Sequence, residues 1–181
     1  MIETTQVAQP ISRWKSDELQ SLASLAGMTA SNRAFGWSWL GLCAALALHV
    51  LDEALTGFLD VYNPTVLSLR ESFGWFPMPV IRYDVWLRGL IGAVLGLSAL
   101  SIFAFRGAGW MRKAAMLFSV LMIANAFGHT LGTIFGQTVA TVRFPRPMPG
   151  FYSSPFLFLA AVNLVRRSRS QGRSWDHRRP D

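Results

Sequence analysis

The sequence has little of what a secreted or nucleic-acid-binding domain uses. Its one cysteine, Cys43, cannot form an internal disulfide, so it indicates no redox compartment and is expected to be a small packing residue in an apolar run. The first 33 residues have no basic start followed by an apolar run and a small-residue cleavage site, so we expect no cleaved signal peptide. The net charge is +7, yet no amphipathic face collects the basic residues, which favours a membrane surface over nucleic acid as the partner.

Apolar residues, in contrast, are abundant: they make up 51% of the chain, and the mean hydropathy is +0.31. A helix needs about 17–25 apolar residues to cross a bilayer. Four segments approach that requirement, namely 34–59, 85–105, 110–138 and 151–165. The fourth is short, because Ser154 and Pro155 predict an N-cap and a first-turn proline and leave about 11 residues before Arg166. We predict an all-α membrane protein, a four-helix transmembrane bundle with a short fourth helix.

The basic residues predict the orientation. Twelve of them flank one side of the predicted membrane: Arg13, Lys15, Arg33, Arg106, Arg112, Lys113, Arg166, Arg167, Arg169, Arg173, Arg178 and Arg179. Four flank the other: Arg70, Arg82, Arg143 and Arg146. By the positive-inside rule, both termini are cytoplasmic in a multi-pass protein of the cell membrane. The predicted parts are a polar arm at 1–33, able to lie in the interface, the membrane domain at 34–167, and a basic, disordered tail at 168–181.

Two connections on the predicted outer side are long. The first, 61–84, has Phe73, Trp75 and Phe76 among prolines, a composition typical of a segment that lies in the membrane interface. The second, 141–155, contains four prolines, the last of them Pro155, and should be rigid and non-helical. We expect these re-entrant or interfacial loops to be able to cover a site that opens outward.

Two predicted membrane helices carry polar stripes. Positions three and four apart share a helix face, and in the first helix this face holds His49, Asp52, Glu53, Thr56 and Asp60. In the third it holds Asn125, His129, Thr133 and Gln137. An ionisable side chain at mid-membrane costs about 2.5–3.5 kcal/mol, so the two stripes are expected to share an interior where the histidines can meet. Asp60 and Gln137, near the outer ends, are expected to be solvated.

The motifs "HVLDE" and "NAFGH" resemble the HXXEE-motif family of small integral membrane proteins, named for His-x-x-Glu-Glu and also carrying an Asn-x-x-x-His pattern. His49, Asp52 and Glu53 match the first motif, with Asp52 in place of its first glutamate, and Asn125 and His129 match the second. The later "MPGFYSSPFLFL" is similar to the family's Pro-Gly turn into a last helix. The resemblance covers the membrane core and implies an architecture and a suspected active site, not a reaction.

The first functional hypothesis is a metal site with His49, Glu53 and His129 as ligands, a set that suits catalytic zinc, non-haem iron or manganese. Asp52, Asn125 and Thr133 would orient the ligands from outside, or Asp52 would help to hold a second metal. The reaction would be hydrolysis or oxidation of a lipid-like or apolar substrate reached from the bilayer.

Other functions use the same residues. Without a metal, Glu53 and His129 would be a general acid and base on an isoprenoid or sterol-like molecule, with Asp52 setting the histidine tautomer. A proton or cation transporter would use the stripe as its path and need a homo-oligomer or larger membrane complex. Paired haem ligation by the two histidines and a purely structural polar network are the remaining hypotheses.

Overall fold

The computed structural model describes residues 11–176, and this part of the chain is helical without any strand. The helices are α1 (Ile11–Thr56), α2 (Leu59–Phe73), α3 (Tyr83–Ala99), α4 (Ser101–Phe105), α5 (Trp110–Phe135) and α6 (Ser154–Asp176). Three helical stretches are long and apolar enough to cross a membrane: Leu25–Thr56, Tyr83–Phe105 and Trp110–Phe135. The all-helical, membrane-compatible fold is therefore confirmed, whereas the bundle of four spanning helices stays a prediction.

The first helix is longer than the predicted membrane segment. It starts at Ile11 and has 46 residues, which at 1.5 Å per residue span about 69 Å, more than twice the ~30 Å hydrocarbon core. Residues 11–33 of the predicted polar arm are thus the start of α1, and residues 1–10 lie outside the described part. The predicted boundary at residue 34 falls inside a continuous helix.

A glycine separates α1 from α2. Gly57 has φ +78°, and a Cβ atom built on it would lie 2.9 Å from the Asp60 carboxylate, so the turn favours glycine. The segment predicted as an outer connection therefore opens with the helix α2. Asn63 fixes this helix to the following loop, accepting from the Ile81 amide and donating to the Ile81 carbonyl at 3.0 Å each.

Helix α1 lies at the centre of the packing and contacts α3, α4 and α6, while α6 also packs along α5. The core is apolar, and its largest buried side chains are Trp39, Phe35, Leu42, Met111, Leu157 and Leu164. The Trp39 indole N–H donates to the Leu97 carbonyl at 2.8 Å and links α1 to α3. The α6 contacts matter for the site, because they bring the loop that precedes α6 against the ends of α1 and α5.

The last helix starts near the predicted point but continues further. Ser153, not Ser154, precedes its first residue, and Pro155 lies in the first turn as predicted. The helix has 23 residues and continues to Asp176, so the disorder predicted from 168 onward is wrong as far as residue 176. Residues 177–181, including His177, lie outside the described part. The division into arm, membrane domain and tail stays a prediction.

Candidate metal site

Three ionisable side chains meet in the interior of the apolar bundle. His49 and Glu53 are one turn apart on α1, and His129 extends from α5. Their exposed fractions are 1%, 5% and 4%. The imidazole rings of His49 and His129 are 4.7 Å apart and nearly perpendicular, so the two polar stripes do share an interior at this level.

The Glu53 carboxylate lies between the two rings. Its Oε1 atom is 3.5 Å from His49 Nε2 and 3.2 Å from His129 Nε2. One ligand atom from each residue lies within 4.8 Å of the others, so the three residues could hold a metal ion. Two atoms bonded to a tetrahedral zinc at ~2.0–2.1 Å lie about 3.3 Å apart, a separation that both carboxylate–imidazole distances match closely.

A serine from the loop before α6 sets the proton position on His49. Ser153 Oγ lies 2.8 Å from His49 Nδ1, 2.8 Å from Asp52 Oδ2 and 3.1 Å from the Gly150 carbonyl. Because the carboxylate and the carbonyl accept only, the hydroxyl donates to one of them and accepts from the Nδ1–H of His49. In the neutral imidazole, Nε2 of His49 then carries the lone pair, which is available to a cation.

Asp52 therefore reaches His49 through one hydroxyl group. It also accepts from the backbone amide of Ser153 at 2.8 Å, so its carboxylate holds the loop in place. We call the hydrogen-bonded chain from Asp52 through Ser153 to His49 the relay. Asp52 is partly exposed and does not belong to the group of three residues that could hold a metal ion. Of the predicted stripe on α1, His49 and Glu53 belong to the cluster, whereas Asp52 holds the serine that contacts His49.

Gly150 closes the other side of the cluster. Its φ is +85°, and a Cβ atom there would lie 2.8 Å from His129 Cε1 and 3.0 Å from Glu53 Cγ. Glycine is therefore required both by the backbone conformation and by the close approach. Sequence reasoning assigned no site role to Gly150 or Ser153, although "PGFYSS" marked a turn into a helix.

The two residues predicted to orient ligands from α5 lie close to His129 without an observed bond to its ring. Thr133 donates to the His129 backbone carbonyl at 2.8 Å and accepts from the Met148 amide at 3.0 Å, so it ties the loop to α5. Asn125 has a buried Oδ1 atom without a hydrogen-bond partner in the described chain. Asp60 and Gln137 are exposed, and their solvation at the outer ends of the helices stays a prediction.

Two further atoms of the cluster are buried without a hydrogen-bond partner among the described residues: His49 Nε2 and His129 Nδ1. The ion pairs of Glu53 are with histidines only, so no lysine or arginine of the described chain neutralises it. A buried carboxylate without a cation is costly, and a nitrogen lone pair without a donor adds to the cost. A divalent cation bound by Glu53 and by Nε2 of each histidine would balance the carboxylate and satisfy His49 Nε2, so these three ligands fit a metal ion, whereas His129 Nδ1 would keep no partner among the described residues.

A cavity of about 470 Å³ lies beside the cluster. Its lining comes from the start of α2, the last three turns of α5 and the loop that follows α5. Asn125 and His129 are both part of this lining, so the cluster has a neighbouring space in which a small molecule can lie.

No protein-family model, curated protein or solved structure matches the chain. The candidate site therefore stands on its own geometry: a buried His-Glu-His cluster, a relay from Asp52 to one histidine, and an adjoining cavity.

Proposed function

We propose that His49, Glu53 and His129 bind one divalent metal ion and that the chain is a multi-pass membrane metalloenzyme acting on a lipid-like or apolar substrate, by hydrolysis or oxidation. The observation that carries the proposal is the convergence of two imidazoles and a carboxylate within 4.8 Å in the interior of apolar helices. Zinc, iron and manganese are all compatible with two histidines and one carboxylate.

A metal ion held by three protein ligands keeps an open position and supplies Lewis acidity or an activated water there. The residues of the chain prepare that position. Ser153 holds the proton on Nδ1 of His49, and Asp52 holds Ser153, so the Nε2 lone pair keeps its direction. Gly150 lets the loop approach the His129 ring more closely than a residue with a side chain would allow.

Elemental analysis and an absorption spectrum of the purified protein test the proposal. Wild type is expected to carry a stoichiometric transition metal, and His49→Ala to lose it. Asp60→Asn is the matched control, because it removes an exposed carboxylate from the same stripe. Metal-free wild type would refute the proposal, and a Soret band would replace it with haem ligation.

Metal-free acid–base catalysis is the second candidate, favoured by the direct 3.2 Å contact between His129 Nε2 and Glu53 Oε1. That distance permits proton transfer on an isoprenoid or sterol-like substrate. Metal-free protein that exchanges substrate protons with deuterated water, and stops doing so as Glu53→Gln, would select this candidate.

The membership in the HXXEE-motif family is likewise proposed. It is supported by the position of its motif residues, since the histidines of "HVLDE" and "NAFGH" lie in one cluster together with Glu53. Asp52 stands where the family motif has its first glutamate. Its carboxylate accepts hydrogen bonds from the amide and the hydroxyl of Ser153.

We further propose that both termini are cytoplasmic in the cell membrane. In a Cys43→Ser background, Gly109→Cys marks the inner turn and Ser72→Cys the outer connection, both at exposed positions. A membrane-impermeant maleimide added to intact cells is expected to label Ser72→Cys only. Labelling of Gly109→Cys alone would reverse the orientation.

A further inference from the structure

The cavity beside His129 has the size of a small-molecule site, since such sites measure about 300–1,000 Å³ and this one measures about 470 Å³. It lies between α2, α5 and the loop after α5. Most of its wall is apolar, with Phe58 just before α2, Val61 from α2, Leu131 and Phe135 from α5, and Val139 and Met148 from the loop.

The exposed part of the lining is mostly apolar, with Gln137 as an exposed polar member. Leu131, Phe135 and Val139 line the cavity and have exposed fractions of 47%, 65% and 92%. Leu131 and Phe135 belong to a helix that is apolar enough to cross a membrane, so their outward surface faces hydrocarbon there. A molecule that enters past these side chains comes from the lipid phase.

The amide oxygen of Asn125, which lines the cavity, is left without a partner among the described residues. Asn125 lies one helical turn before His129 and lines the same space, and its Oδ1 atom is buried without a hydrogen bond in the described chain. A primary amide both donates and accepts, so it complements a hydroxyl or an amide group. A group of that kind would remove the cost of the unpaired oxygen.

The lining does not suit a charged head group. Among the described residues, no lysine, arginine, aspartate or glutamate lines the cavity. A phosphate or carboxylate would have no lysine or arginine partner there and would lose its hydration, whereas an uncharged head group would lose less.

We propose that the cavity binds an uncharged lipid, with its hydroxyl or amide head group hydrogen-bonded to Asn125 beside His129 and its apolar chain along α2 and α5. The role of this lipid as the substrate of the metal site rests on the proposed function. Binding itself depends on the cavity.

Photoaffinity labelling in phosphatidylcholine nanodiscs tests the binding. The probe is a sixteen-carbon alcohol with a diazirine in its chain, and the cross-linked peptides are expected to come from α2, the end of α5 and residues 137–148. Gly128→Phe fills the cavity, because Gly128 lines it and a Cβ there meets no atom within 4 Å. Labelling is expected to fall at least roughly tenfold.

Gly92→Phe on α3 is the matched control. A Cβ at Gly92 also meets no atom within 4 Å, and the residue is exposed and lines no part of the cavity. Labelling of this variant is expected to equal that of wild type. Equal labelling of Gly128→Phe and Gly92→Phe would overturn the proposal.

The head-group assignment is tested with three probes of equal chain length: the alcohol, its methyl ether and the ionised carboxylate. Wild type is expected to prefer the alcohol, and Asn125→Leu to lose roughly fivefold of the preference for alcohol over ether. Equal labelling by the carboxylate and the alcohol in wild type would overturn the assignment.

Metal content measured on the same preparations separates this inference from the proposed function. Gly128→Phe is expected to lose the lipid probe and keep the metal. Cavity-dependent labelling of a metal-free wild type would refute the metal site and leave the lipid site standing, whereas a metal-loaded wild type without cavity-dependent labelling would do the reverse.

Discussion

Two pairs of ionisable residues at the same four-residue spacing behave differently in this molecule. Asp84 and Arg88 on α3 form an ion pair at 2.7 Å, with exposed fractions of 47% and 74% for their side chains. Arg82 adds a second cation to the same carboxylate at 3.2 Å. On α1, His49 and Glu53 are buried, and the partner across the bundle is another histidine.

The difference shows that spacing alone does not mark a site. On α3 the Asp84 carboxylate already has two guanidinium groups beside it at the protein surface, so its charge is compensated. The cluster on α1 and α5 has a carboxylate, no lysine or arginine, and unpaired nitrogen atoms, so it needs a cation or a proton to be complete.

Glu53→Gln is expected to abolish stoichiometric metal binding. The substitution keeps the side-chain volume and removes the only charged ligand, so the loss should exceed the roughly 10–100-fold typical of an outer partner. Metal per protein is measured by elemental analysis after equilibration with zinc, iron or manganese. Asp84→Asn, the same chemical change in the exposed pair, is the control. Equal metal content in Glu53→Gln and wild type would remove Glu53 from the ligand set.

Gly150→Ala is expected to destabilise the fold by about 2–5 kcal/mol, because the new methyl group meets His129 and Glu53 in a backbone conformation that favours glycine. Gly74→Ala shares the positive φ, at +71°, but a Cβ there meets nothing within 4 Å. It should therefore cost only about 1 kcal/mol. Thermal unfolding in detergent micelles compares the two. Equal losses of stability in the two variants would show that close packing of Gly150 against His129 and Glu53 adds nothing to the cost.

The sequence predicts the cluster well and its support poorly, for a physical reason. His49, Glu53 and His129 belong to stripes with helical spacing, so the helix faces that carry them follow from their positions in the chain. Ser153 and Gly150 lie on a loop about 100 residues further along the chain from α1, and only the packing of α6 between α1 and α5 brings them to the site.

The helix ends show a second limit. Hydropathy locates the membrane segment but not the helix, because polar residues such as those at 11–33 can continue a helix beyond the bilayer. The same holds for α6, which continues past the apolar residues to Asp176. Gly57, in contrast, ends α1 near the predicted point, because its positive φ is a local property of the turn.

Ser153→Ala is expected to weaken metal binding by roughly 10–100-fold without abolishing it, since the ligands remain and only the tautomer of His49 is released. Ser154→Ala is the matched control: Ser154 is also buried and also donates to the Gly150 carbonyl, but it does not contact His49. Competition with a chromophoric chelator gives both affinities. If the two variants bind metal equally, the relay has no part in holding the metal.

Arg88→Ala is expected to have the smallest effect, within about 1 kcal/mol on stability and none on metal content, because the pair with Asp84 is exposed and Arg82 still neutralises the carboxylate. Thermal unfolding and elemental analysis measure both. The contrast between the two pairs depends on this result as much as on the loss in Glu53→Gln. A lower metal content in Arg88→Ala would show that the charge on α3 affects the cluster on the other side of the bundle. Burial would then not be the property that distinguishes the metal site from the exposed ion pair.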